Sequence, residues 1–201
     1  MSKHMPADKR KRMILNAAMK VFSESGYIGS SVDDVAKEAG ISKGAIYWHF
    51  KNKDDLFKSL LEYWTKQQLF LFHENFKKSQ SFIDSLHSML IMPFEIPDEN
   101  IKLIRVMMEF FAHGMEIDGM VEVFDGYYSI FSVELQKYLD YAIENGELSK
   151  ELKHTHDISV LIALIFDGLY ARLYMDSLTK QNSFQNHKES MKTLLTRWLK
   201  A

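Results

Sequence analysis

Residues 30–57 read SSVDDVAKEAGISKGAIYWHFKNKDDLF, and two helical rhythms separated by one glycine turn decide how the chain is read. Ser31 stands where a helix N-cap belongs, and Asp34, three residues on, can act as the return partner of a capping box. Val32, Val35, Ala36 and Ala39 then recur at helical spacing until Gly40 stops the helix. Ser42 caps a second, short helix that ends near His49. Helix, tight glycine turn and helix across 32–49 have the layout of a helix-turn-helix. At about 100° per residue, Ile46 and Phe50 share the inward face, whereas Lys43 and Tyr47 share the outward one.

That outward face suits duplex DNA. A major groove admits an α-helix only where the first residues let its backbone come close, and Gly44 and Ala45 permit this. Lys43 can donate to guanine acceptors or a phosphate; Tyr47 offers a ring to a thymine methyl and a hydroxyl to phosphate. His49 and Lys53, just past the helix, can grip the DNA backbone, together with the amides that open the next helix. Trp48 is expected to wedge between helices and orient Tyr47. Asp33 sits awkwardly near phosphates unless it pairs with a cytosine amino group or stays in water. The alternative for the whole corner is a solvated turn with a core Tyr–Trp pair. The capped helix, the glycine turn and the basic N-terminus weigh against it.

Working outward, the charge is uneven. The 201 residues carry a formal net charge of −2, yet residues 1–60 hold eleven Lys/Arg against seven Asp/Glu, and the remainder fourteen against twenty. A basic end on an acidic body fits a polyanionic partner at that end. Cysteine is absent, which removes disulfides and thiolate ligands. The start of the chain lacks a secretory apolar core, and no run is read as the roughly 20 apolar residues of a membrane span, so a cytoplasmic location without a membrane is expected.

Prolines occur only at 6, 93 and 97, and no alternating strand pattern is present. The chain is therefore expected to be all-α, with about nine helices. They are placed at 8–25, 32–39, 43–49, 53–77, 79–92, 98–115, 118–145, 155–178 and 184–200. Residues 1–53 form a three-helix DNA-binding domain, and 54–201 a larger helical ligand-binding and dimerisation domain joined through the fourth helix.

The stretch quoted above, preceded by ILNAAMKVFSESGY at 14–27, closely resembles the N-terminal domain of the TetR/AcrR family of bacterial transcriptional regulators. The resemblance rests on A-x-x-x-F-x-x-x-G-Y, on the AG-x-S-x-G turn, and on Tyr-x-His-Phe followed by Lys-Asn-Lys. It implies DNA contacts at Ser31, Val32, Ser42, Lys43, Gly44, Ala45 and Tyr47, with His49 and Lys53 on phosphates. It also implies a homodimer on a near-palindromic double-stranded operator, and a C-terminal body that holds a small-molecule effector and dimerises through its last two helices.

In that body, methionines and aromatics are dense enough to fill a core or line an adaptable pocket. With the resemblance, Met107, Phe110, Phe111, Phe124, Tyr128, Phe131, Phe166 and Tyr170 are the candidate ligand residues. Glu109 and Asp167 interrupt apolar surroundings; either could hold a cationic ligand, though for Asp167 an ion pair with Arg172 is favoured. Leu161, Ile165, Gly168, Leu194, Leu195 and Trp198 mark the candidate dimer face, as two helices per subunit in a four-helix interface. The same stripes could instead serve the monomer core. His154, His156 and Asp157 have poor metal spacing, and a capping role for His156 or Asp157 is preferred. Neither cofactor nor metal is expected, and no catalytic constellation points to an enzyme. The expected function is a DNA-binding regulator, a repressor released by an apolar or aromatic ligand. The alternative is a DNA-binding protein without an inducer, acting structurally or through a protein partner.

Overall fold

The structure, a computed structural model, describes residues 6–78, 81–91, 101–179 and 188–200. These form nine α-helices: α1 (Ala7–Ser25), α2 (Val32–Ala39), α3 (Lys43–Tyr47), α4 (Lys53–Lys78), α5 (Phe82–Ile91), α6 (Ile101–His113), α7 (Met120–Glu144), α8 (Thr155–Thr179) and α9 (Lys188–Lys200). A single 3-10 turn at Gly114–Glu116 follows α6, and no strand occurs among the described residues. Pro93 and Pro97, expected to separate two helices, lie outside the described residues. The all-α reading holds among the described residues.

By packing, the chain divides into two compact units. One contains residues 1–66 with 98–123; the other contains 67–97 with 124–201. Helix α4 begins in the first unit and ends in the second.

In the first unit α1 lies against α2 and α6. Ile14, Ala18 and Phe22 of α1, Val35 of α2, Ile46 of α3, and Leu56, Phe57 and Leu60 of α4 are buried together as its core. Phe22 meets Phe57 edge-on at 5.4 Å, and Tyr27 stacks on Phe57 at 4.2 Å. Aromatic pairs of this kind add to the area they bury, which fixes α1 on α4. Gly26 ends α1 at φ +76°, and a side chain there would come within 2.6 Å of the Glu109 carboxylate. Only glycine satisfies both demands. Glu109 accepts the Tyr27 backbone N–H and pairs with Arg105 at 3.0 Å. Its charge is used in holding α6 to the end of α1, in place of the cationic ligand that its apolar surroundings suggested.

The second unit has a core of Phe72, Phe76, Leu86, Leu90, Leu139, Ile162, Phe166 and Leu199, with α5 against α9. Glu147, beyond α7, accepts the Ser81 hydroxyl at 2.8 Å and the Ile83 N–H at 3.3 Å, closing the start of α5. Helix α8 corrects two expectations. It begins at Thr155, so His156 and Asp157 fall inside its first turn and not at the cap. In addition, Thr155–Asp176 is long and apolar enough by composition to cross a membrane. Leu161, Leu164 and Ile165 are exposed on it.

Candidate functional site

Helices α2 and α3 are each set by a serine. Ser31 caps α2: its hydroxyl accepts the Asp34 N–H at 3.2 Å, and Asp34 takes the Ser31 N–H at 2.8 Å. This is the reciprocal capping box read from the sequence. The serine and amide bonds hold the Asp34 carboxyl below its usual range. Gly40 terminates α2 at φ +66°, and Ser42 caps α3 by accepting the Ala45 N–H at 3.3 Å. Ile46 and Phe50 are buried behind α3.

In front of α3 stand Lys43, Gly44, Tyr47 and Trp48, all exposed, with Ala45 partly so. A Cβ added to Gly44 would meet nothing within 4 Å, so nothing inside the protein requires glycine there. Lys43 reaches Asp33 at 2.7 Å, and this pair holds the lysine ammonium charged. Asp33 therefore neutralises the free face, a role that sequence reasoning left open.

Three expected DNA residues are placed differently. Val32 is only 7% exposed, so its side chain belongs to the core and only its backbone N–H at the start of α2 can face outward. The Nζ of Lys53 donates to the Ser30 carbonyl at 2.7 Å and lies 4.2 Å over the Tyr27 ring. Burial lowers its pKa, and the ammonium is engaged within the protein. The Nε2 of His49 is shielded from solvent, and burial, with Arg10 and Lys11 nearby, keeps its pKa below the usual histidine value. A neutral, inward imidazole brings no charge to a phosphate. Trp48 is the reverse case. Expected as a wedge, it is 74% exposed, and α3 ends before it, leaving its indole on the outward corner. An adjacent Trp–His pair meeting edge-on at 4.6 Å was not legible from spacing alone.

Two cavities of the second unit bear on ligand binding. A narrow cleft of about 20 Å³ is lined by Phe72, Met89, Tyr127, Tyr128, Phe131, Leu135, Ala163, Phe166 and Asp167. Of the eight candidate ligand residues, Tyr128, Phe131 and Phe166 meet there, and Tyr170 stacks edge-on against Phe166 at 4.8 Å. Phe124 is buried in the same unit without lining the cleft. Met107 is buried in the first unit, where Phe111 also lies; the side chain of Phe110 lies outside the described residues. A larger cavity of about 420 Å³ was not anticipated. It is bounded by Phe76, Ser81, Phe82, Ser85, Lys137, Tyr138, Tyr141, Ala142 and Glu147. The i, i+3 pair Tyr138–Tyr141 on α7 was the signal that could have revealed it.

Asp167 lacks the partner expected for it. Arg172 turns instead to Asp176, at 2.6 Å. Burial pushes the Asp167 carboxyl up, against the opposing effect of a hydrogen bond with Tyr128. The buried Tyr127 and Tyr170 hydroxyls are raised in turn, by burial and then by that carboxylate.

Comparison with known proteins agrees with this geometry. Residues 14–60 match the family model for bacterial regulatory proteins of the tetR family. The chain is 32% identical over 162 residues to the uncharacterised HTH-type transcriptional regulator YhgD of Bacillus subtilis, covering 79% of this chain and 83% of YhgD. It is 29% identical over 156 residues to the Fatty acid metabolism regulator protein of the same organism, covering 76% of each. Its fold resembles the crystal structure of FadR from Bacillus subtilis in complex with stearoyl-CoA, with a TM-score of 0.69 and 24% identity over 92% of this chain and 96% of that one. The chain belongs to the TetR/AcrR family of helix-turn-helix transcriptional regulators, a family of DNA-binding regulators and not of enzymes.

Proposed function

We propose that the protein is a cytoplasmic homodimeric repressor whose two α3 helices enter successive major grooves of a near-palindromic operator. A small, largely apolar or aromatic effector releases it. Residues 1–53 serve the DNA, and 54–201 the effector and the partner subunit. Lys43, Gly44, Ala45, Tyr47 and Trp48 form the reading face; Val32 and Ser42 add backbone N–H groups at two helix starts, and Ser31, whose own N–H is held by Asp34, contacts DNA from the rim of the first. Lys53 and His49 brace this face from behind.

The observation that carries the reading is Gly44. It is exposed, lies between two outward side chains, and has open space where a Cβ would stand. A glycine that internal packing does not require is explained by a backbone approaching from outside. The effector reading is supported by the cavity of about 420 Å³, which is within the range of small-molecule sites. The stearoyl-CoA complex of the FadR relative supports a long apolar molecule. A body conformation favoured by that molecule would re-aim α3 through α4, so DNA and effector oppose each other by coupling and not by overlap.

The test is Gly44→Ala on a duplex selected from a random pool by the unaltered protein. Its unfolding free energy should be unchanged or higher by up to about 1 kcal/mol, since alanine is the better helix former. Its affinity for the selected duplex should fall by about tenfold or more, a loss of about 1.4 kcal/mol. Equal affinity in fluorescence anisotropy would remove α3 from the groove.

A further inference from the structure

We infer that Asp167 anchors a primary ammonium group, so that the effector is an amine with an apolar body; this deepens the effector reading above and rests on it. Among the described residues no hydrogen-bond donor reaches the shielded Oδ2 of Asp167. The cation nearest along α8, Arg172, is bonded to Asp176 at 2.6 Å. A carboxylate held among rings without a cation is costly, and a ligand that supplies the cation recovers that cost.

The shape of the cleft narrows the class. Its volume of about 20 Å³ admits one water-sized group. An –NH3+ head is that size; a trimethylammonium or guanidinium head is not. The rings of Phe72, Tyr128, Phe131 and Phe166 line the same space. Aromatic rings favour a cation over a neutral donor of equal size at their faces, and a fatty acyl terminus would leave Oδ2 unanswered, since Tyr128 bonds the carboxyl without reaching that oxygen. Burial already pushes the Asp167 carboxyl upward, and an arriving ammonium would draw it back.

The apolar body has a place as well. Tyr138 borders the larger cavity and Phe72 the cleft, and these two rings touch at 5.6 Å. This pair of touching rings stands between the two spaces. An alkyl chain in the larger cavity, with Phe76 and Tyr138 as walls, brings its amino end to Asp167 where the Phe72–Tyr138 pair parts.

The experiment uses the full chain, calorimetric titration and four probes: octylamine, octanol, octanoate and octyltrimethylammonium. Octylamine should bind at least tenfold more tightly than the other three. Asp167→Asn, nearly the same in shape, should lose that preference while keeping its weak affinity for octanol. Equal binding of octylamine and octanol, as expected of a carboxylate already satisfied by solvent, overturns the anchor. So does an amine preference that survives in Asp167→Asn. Operator release is measured separately. Release by octanol without amine preference would leave the effector reading standing and overturn the anchor. Asp167-dependent octylamine binding without release would support the anchor and overturn the effector reading.

Discussion

Asp33 sets the electrostatics of the recognition face more directly than any lysine on it. Its carboxylate holds Lys43 at 2.7 Å, and both side chains are about half exposed. Exposed pairs of this kind are worth about 0–1 kcal/mol, so DNA can break this one at small cost. The acid repels every phosphate alike, and the pair therefore trims sequence-independent attraction while leaving Lys43 available to a groove that fits. Asp33→Asn should tighten binding to a random duplex by up to about fivefold, the equivalent of about 1 kcal/mol. Affinity for a selected operator should rise less. Anisotropy titrations on both duplexes at one salt concentration check this; an unchanged random-duplex affinity would show that Asp33 does not screen the face. The sequence marked Asp33 as out of place but could not pair it, because α2 and α3 cross at an angle that spacing does not encode.

At the scale of the helix, local chemistry was the readable part. The starts of α2 and α3 follow from serine caps, and the ends of α1 and α2 follow from Gly26 and Gly40 at positive φ. Ser31→Ala removes one half of the capping box and should cost about 1 kcal/mol in urea unfolding, whereas Ser31→Thr should recover most of it. Equal stability of all three proteins would mean that α2 is held by packing alone. What stayed hidden depended on contacts between helices. The inward turn of Lys53 toward Ser30 and Tyr27, the outward turn of Trp48, and the use of Glu109 to fasten α6 to α1 all lie between distant segments. One misreading was avoidable. Arg172 and Asp176 are four apart on α8 and face each other, while Asp167 and Arg172 are five apart and do not.

The whole molecule has apolar surface that the single chain does not cover. Leu161 of α8 is 51% exposed and Leu194 of α9 is 65% exposed, and Leu164, Ile165 and Trp198 are exposed with them. Gly168 adds no side chain to this surface, and a Cβ there would meet nothing within 4 Å. The same stripe makes α8 resemble a membrane span by composition. A second copy that lays its own α8 and α9 on the first answers both facts, since a two-fold interface matches a surface to itself. Leu195 does not belong to that surface: it is 6% exposed and serves the interior, contrary to the sequence expectation. The two leucines separate assembly from folding. Leu161→Glu together with Ile165→Glu should give a helical monomer by circular dichroism and light scattering, because both side chains are about half exposed and a carboxylate at either position can reach water. Its operator affinity should fall by about 10²–10⁴, the range over which linking two binding modules raises avidity. Leu195→Glu should instead unfold the chain, because burying an unpaired carboxylate is severe. A double-glutamate variant that still runs as a dimer would place the interface on another face. One that is monomeric yet binds the operator at full strength would end the two-groove reading.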